Sequence, residues 1–213
     1  MALIMYKRNI KHSRVKNLYK FASLKNRASL TLESSLEFDV CFHFEYSKSV
    51  STYEAQPVGQ YYLYGGKLLP YTPDFLTTSI SGKHTYYEVK YAHEARDPEV
   101  QDRFRYKQRS FSELGFELKL ITERQLRQGP KLKNLKLLHR YAGESKYSKQ
   151  IEWLLSLLRR LGVVTMRQLL DESKLNQGEL NKLVLIGASL GVLLFDLDIV
   201  PFGCDTEVSI VHG

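Results

Sequence analysis

The apolar positions of the chain change period several times, and each change predicts a different element. Between residues 32 and 46, Leu32, Leu36, Val40 and Phe44 recur every fourth position, which predicts a helix with one buried stripe. From 50 to 91 the chain is rich in Tyr, Val, Thr and Leu and is broken at Pro57, Gly65-Gly66 and Ser81-Gly82, the pattern of strands and hairpins. A helix follows over 98–114, and 116–121 alternates as a strand. Ile151 to Leu161 forms a strongly amphipathic helix closed by Gly162. Thr165 caps a second helix through Leu170. Asn176, with Glu179 three residues on, has the form of a capping box for a third. Two short strands at about 191–199 and 206–211 complete a winged-helix pattern. Before residue 32 the pattern is weak, with some helical character over 15–24. No repeat or low-complexity segment is visible.

These elements predict an α/β fold: a mixed sheet flanked by helices, followed by a small winged-helix-like domain. The expected divisions are an N-terminal arm over 1–31, a main domain over 32–145 and a C-terminal domain over 146–213, with the boundary near Gly143 to Ser148. A chain of 213 residues is long enough for one well-buried core plus a smaller one.

Charge changes this picture by where it lies. The net charge is +8. Residues 1–32 hold eight basic groups and no acid, residues 33–147 are net +2, and residues 148–213 are net −2. The excess therefore sits in the arm, where Lys7, Arg8, Lys11, Arg14 and Lys16 form a candidate phosphate-backbone contact. A solubilising tail is the competing reading. Cys41 and Cys204 stand far apart and in no zinc-like spacing, which fits a reducing compartment. The N-terminus lacks a signal-peptide pattern, and the apolar run Leu183 to Phe195 is too short to span a bilayer. A cytoplasmic protein with no membrane partner is expected.

Candidate chemistry concentrates in Tyr71-Thr72-Pro73-Asp74-Phe75-Leu76 and, fourteen residues after Asp74, in Glu88-Val89-Lys90. Residues two apart in a strand share a face, so Glu88 and Lys90 project together. If Ile80-Ser81-Gly82 is a three-residue hairpin loop with Gly82 left-handed, Ser79 faces Lys83, and counting back sets Asp74 opposite Glu88. Two carboxylates side by side repel, and burying them unpaired is costly. A divalent cation with oxygen ligands relieves that conflict; Mg²⁺ suits carboxylates, water and phosphate. Such an ion lowers the pKa of bound water and stabilises a phosphorane, so the reaction class is phosphodiester hydrolysis, with Lys90 beside the water or the phosphate. The competing reading is a solvated surface hairpin, since a P-D followed by E-x-K also arises by chance.

Two helices add weight. Glu33, Glu37 and Cys41 share a stripe; the glutamates are like charges at i, i+4, which a cation would relieve, although a polar outer face explains them equally. Geometry does not choose between Glu33 and Glu37. Downstream, Arg103, Arg105, Lys107 and Arg109 fall within seven residues, and 124–140 adds six basic groups without an acid. Arg103 and Lys107 are the candidate DNA contacts there, with a solvated helix face as the alternative.

Taken together, Ser35-Leu36-Glu37, Tyr53-Glu54-Ala55-Gln56-Pro57, Tyr71 to Leu76 and Glu88-Val89-Lys90 resemble the TnsA family in order and spacing. These are transposon end-cleaving endonucleases with a restriction-endonuclease-like core. Gly115 to Thr122 and Leu135 to Tyr141 continue the likeness, which covers about residues 33–142; the arm lies outside it. The resemblance implies that the catalytic acids fall on Glu37 and Asp74 and the lysine on Lys90. Glu88 stands where some members carry Gln, and completes an expected metal set of Glu37, Asp74 and Glu88 for Mg²⁺, with Mn²⁺ as a substitute. It also implies double-stranded DNA at transposon ends as substrate, cut on the 5′ strands, and two partners, a TnsB-like DDE transposase and a TnsC-like AAA+ regulator. The third helix of the C-terminal domain carries only Glu179 and Lys182 as charges, so protein docking is expected there rather than DNA reading. A stand-alone nuclease of repair or defence, and a DNA-binding adaptor with a decayed nuclease core, are the alternatives.

Overall fold

The computed structural model of the chain describes residues 5–6, 17–143 and 149–211. Its contacts divide it into two compact units, Met1–Leu126 and Arg127–Gly213.

The first unit is organised by one long helix and a mixed sheet. After β1 (Met5–Tyr6) come β2 (Tyr19–Ser23) and β3 (Ala28–Leu32), which pair as an antiparallel hairpin. Of the range 15–24, where weak helical character is expected, the described residues 17–24 form no helix. Strand β2 alternates exposed and buried positions over its last residues and buries Phe21 against α1 (Ser35–Tyr46), where it meets Phe42 edge-on at 5.0 Å. This hairpin also overturns the reading of Glu37 and Cys41 as a solvated outer face. Glu37, Cys41 and Glu45 are all buried. Glu45 accepts bonds from Ser23 Oγ, Tyr53 Oη and the Leu24 and Lys25 N–H groups. Lys25 Nζ in turn donates to the carbonyls of Phe44, Ser47 and Val50, three acceptors at and beyond the last turn of α1. Lys25, counted with the basic arm, is therefore a helix-end clamp.

Strands β4 (Val50–Ala55), β7 (Phe75–Ser79), β8 (His84–Val89) and β9 (Glu117–Ile121) form a sheet in the order β4-β7-β8-β9. The first three run antiparallel, and β9 lies parallel to β8. A parallel neighbour requires a crossover, supplied by the short α2 (Ala92–Ala95) and by α3 (Pro98–Glu113). Asp97 caps α3 by accepting from the Glu99 and Val100 N–H groups, and Gly115, at φ 80°, turns the chain back into β9. The remaining strands, β5 (Gly59–Tyr64) and β6 (Lys67–Tyr71), make an antiparallel hairpin that β1 extends. Helix α4 (Glu123–Leu126) ends the unit.

Helices cover both faces of the sheet. Tyr87 meets Phe44 of α1 at 5.1 Å, while its neighbour Tyr86 meets Phe111 of α3 at 4.8 Å. Alternation along β8 therefore sends odd positions towards α1 and even positions towards α3.

The second unit holds α5 (Lys131–His139), α6 (Lys149–Leu161), β10 (Val164–Thr165), α7 (Met166–Ser173), α8 (Gln177–Ser189), β11 (Leu193–Phe195) and β12 (Glu207–Ile210). The last three strands form a sheet of order β10-β12-β11. Both helix starts carry capping boxes, Thr165 with Gln168 and Asn176 with Glu179. The core is aliphatic, built on Ile151, Leu154, Leu158, Met166, Leu169 and Val184 among others. Helix α5 belongs to this unit, since Asn134 bonds Leu197 O, Val200 O and the Phe202 N–H. The units thus divide about twenty residues before the Gly143 to Ser148 boundary expected from the sequence.

Candidate active site

Strand register builds the centre of the site. Ser79 N–H donates to Lys83 O at 2.9 Å across the loop, and Gly82 adopts φ 81°. The pairs then run from Thr78↔His84 to Phe75↔Tyr87, the step before Asp74 and Glu88. The ladder itself ends there. Asp74 N–H donates to Tyr87 O at 2.9 Å, and the Asp74 carboxylate accepts from the Val89 N–H at 2.7 Å. As an even position of β8, Glu88 faces α3, and Lys90 follows on the same side with its Nζ 3.4 Å from Glu88 Oε1.

Glu37 reaches the same place from the first turn of α1. Ser34 caps the helix by accepting the Glu37 N–H, and the Glu37 carboxylate accepts from Ser34 Oγ at 2.8 Å and from the Glu33 N–H at 3.0 Å. This carboxylate therefore has a capping duty as well. Carboxylates accept up to about four bonds, so capping and ligation are compatible. Glu37, Tyr71, Asp74, Glu88 and Lys90 all line one cavity of about 650 Å³.

The electrostatics of these groups are coupled. Burial pushes the Asp74 carboxyl up to about 7; the Val89 N–H opposes this, while the Glu37 and Glu88 charges reinforce it. Burial also works against the Glu88 carboxylate, but Lys107, helped by the nearby Tyr71 hydroxyl and by Lys90, outweighs it and holds Glu88 below the ordinary carboxylate range. Tyr71 is pushed well above the usual phenol range by burial and by the Glu88 charge. Its hydroxyl lies beside that carboxylate without completing a hydrogen bond. Among the described residues, no three His, Cys, Asp or Glu side chains form a ready-made metal cage. The donor chemistry nonetheless fits a hard divalent ion: Asp74 and Glu37 are oxygen donors whose mutual repulsion a cation would relieve.

Lys107 is placed otherwise than the sequence suggests. Expected on a DNA-facing surface, it is turned inward, with only 14% of its side chain exposed, and donates to both oxygens of Glu88 at 3.1 and 2.9 Å. Its Nζ also rests 4.0 Å from the centre of the Tyr71 ring. A signal for this was present: Val100, Phe104, Lys107 and Phe111 stand at i, i+4, i+7 and i+11, so Lys107 interrupts the inward stripe of α3. Arg103 stays half exposed, paired with Glu99 at 2.7 Å and lying over the Tyr64 ring. Lys7, Arg8, Lys11, Arg14 and Lys16 lie outside the described residues. Sequence reasoning passed over Tyr71, whose only mark was its place in the Tyr71 to Leu76 motif.

A mixed sheet between helices, with acids and a lysine gathered at the ends of adjacent strands, puts the first unit in the restriction-endonuclease-like class. Residues 47–123 match the family described as TnsA-like endonuclease N terminal. The first unit thus carries a TnsA-like endonuclease domain, a nuclease type of Tn7-like transposases. The match contains Asp74, Glu88, Lys90 and Lys107 and begins after Glu37. A search of curated proteins finds no match. Among the described residues, no helix is long and apolar enough to cross a membrane.

Proposed function

We propose that the chain is a Mg²⁺-dependent DNA endonuclease that cuts the 5′ strands at transposon ends, as one subunit of a heteromeric cut-and-paste transposase working on DNA in the bacterial cytoplasm. The observation that carries this reading is the patch of Asp74, Glu88 and Lys90 at the sheet end, inside a domain of the TnsA-like endonuclease type. Asp74 and Glu37 are the residues that would hold the ion, and Mn²⁺ would substitute. When bound, the ion lowers the pKa of a ligated water and stabilises charge on the phosphate in the transition state. Lys90 orients the attacking water or screens the scissile phosphate. The Val89 N–H fixes the Asp74 carboxylate, and the Glu88 carboxylate fixes Lys90. Arg103, with the basic arm, would steady the DNA backbone.

The second unit is read as winged-helix-like, on the order α6, β10, α7, α8, β11, β12 and its three-stranded sheet. Its α8 carries only Glu179 and Lys182 as charges, which favours docking to protein over reading bases. The partners proposed are a TnsB-like DDE transposase and a TnsC-like AAA+ regulator.

The test is strand-resolved cleavage of end-labelled transposon-end DNA by the assembled subunits with Mg²⁺. Asp74→Ala should abolish 5′-strand cuts while 3′-strand cuts and assembly persist. Retained 5′ cleavage by that variant contradicts the site assignment.

A further inference from the structure

We infer that Lys107 is a positioning residue of this site: its ammonium fills the cation position at Glu88, making Glu88 the counter-ion of two lysines and leaving the divalent ion to Asp74 and Glu37. The inference rests on the endonuclease reading and revises one part of it, the expectation that Glu88 is a third metal ligand.

Three observations carry it. Lys107 Nζ reaches both Glu88 oxygens, at 3.1 and 2.9 Å, and Lys90 Nζ adds a contact at 3.4 Å on Oε1. Between them the two ammonium groups already supply positive charge to this carboxylate, and a divalent ion there would meet two like charges at close range. Second, the Lys107 position is prepared for a cation. The Tyr71 ring lies beneath the ammonium at 4.0 Å, and the stem runs along the apolar stripe of α3 with 14% of the side chain exposed. A lysine free to swing out to a DNA backbone would not be held this way. Third, among the described residues no three His, Cys, Asp or Glu side chains gather as a ready-made cage, so a set of Asp74, Glu37 and Glu88 is not preformed. A residue whose task is to hold Lys90 through hydrogen bonds and charge does not need the lone-pair geometry of a ligand.

The consequence is a competition. Lys107 holds Glu88 away from the metal, so removing the ammonium frees a carboxylate beside the ion and takes away a like charge. Removing Glu88 and Lys107 together is neutral in charge and should leave the ion indifferent.

The experiment is Mn²⁺ titration of the full chain followed by electron paramagnetic resonance, with Asp74→Asn, Lys107→Met, Lys107→Arg and the double variant Glu88→Gln/Lys107→Met. Asp74→Asn identifies the ion being measured: if it binds Mn²⁺ as the parent does, the endonuclease reading of the site fails at its base. Given loss of binding there, Lys107→Met should tighten Mn²⁺ roughly tenfold. Lys107→Arg should restore the parent affinity, and the double variant should match the parent. A double variant weakened by roughly tenfold or more overturns the inference, because the net charge beside the ion is unchanged and the Gln side-chain oxygen can still accept from Lys90. So does a Lys107→Met protein with unchanged affinity. If Lys107→Met does not fold, Lys107→Arg and the double variant decide the matter, since both avoid an unpaired buried charge.

Discussion

The two units of this protein bury different things. Among the described residues, the buried carboxylates Glu37, Asp39, Glu45 and Glu88 all belong to the first unit, whereas the buried polar groups of the second are Asn134, Ser173 and Thr206. The contrast is sharpest between two amphipathic helices. Helix α6 turns inward Ile151, Leu154, Leu155 and Leu158, a wholly aliphatic face. Helix α3 turns inward Val100, Phe104, Lys107 and Phe111, with an ammonium in the middle. Burying a charge is unfavourable unless it is paired; Glu45 is paired structurally with Ser23 and Tyr53, whereas Glu37 and Glu88 are buried where they line the site cavity.

The largest expected effect separates the two units by function. Asp74→Ala should reduce 5′-strand cleavage by at least about a hundredfold, measured in single-turnover assays of the assembled system. Leu154→Ala in the other unit should leave the cleavage step intact while lowering stability by about 3 kcal/mol in denaturant unfolding. A Leu154→Ala protein that folds fully but loses the cleavage step would break the division of labour.

Next in size is a pH effect confined to the first unit. Asp74 has a folded pKa of about 7, raised from its ordinary value of 3.8. Between those values the folded state binds more protons than the unfolded one, so the stability of the metal-free protein falls as pH rises through that window, and the full penalty remains above it. Asp74→Asn should therefore stabilise the metal-free protein at pH 8, by on the order of 2 kcal/mol, and lose that advantage as the pH approaches 4. Thermal melts across the range check this, and a variant less stable than the parent at pH 8 would count against a strained Asp74. The smallest effect is a helix cap: Thr165→Ala should cost the second unit about 1 kcal/mol in the same melts, with no pH dependence.

How much of this was legible in the sequence depended on the range of the interaction. The α1 and α3 helices, the alternation of β9 and the capping boxes of α7 and α8 follow from local period and local chemistry. The 79–83 loop was equally local, and from it the register up to Phe75 against Tyr87, the neighbours of Asp74 and Glu88, could be counted. What was hidden involved contacts between distant segments. Nothing local shows that Tyr19–Ser23 folds as a strand over α1, because a short mixed segment takes its form from the surface it covers. The same hairpin gives the buried Glu45 its Ser23 partner, and β4 adds Tyr53, which no stripe on α1 alone announces. Lys107 lies between these cases. Its place in the α3 stripe was readable, but the reading of four basic residues as one surface group obscured it.

The central claim is that Asp74 and Glu37 hold a divalent ion beside Lys90. Crystals of the full chain grown with Mn²⁺ would test it through the anomalous signal of the ion. The account predicts one peak within ligand distance of the Asp74 carboxylate and on its Glu37 side. A Mn²⁺ peak elsewhere in the first unit, with that position empty, would contradict it.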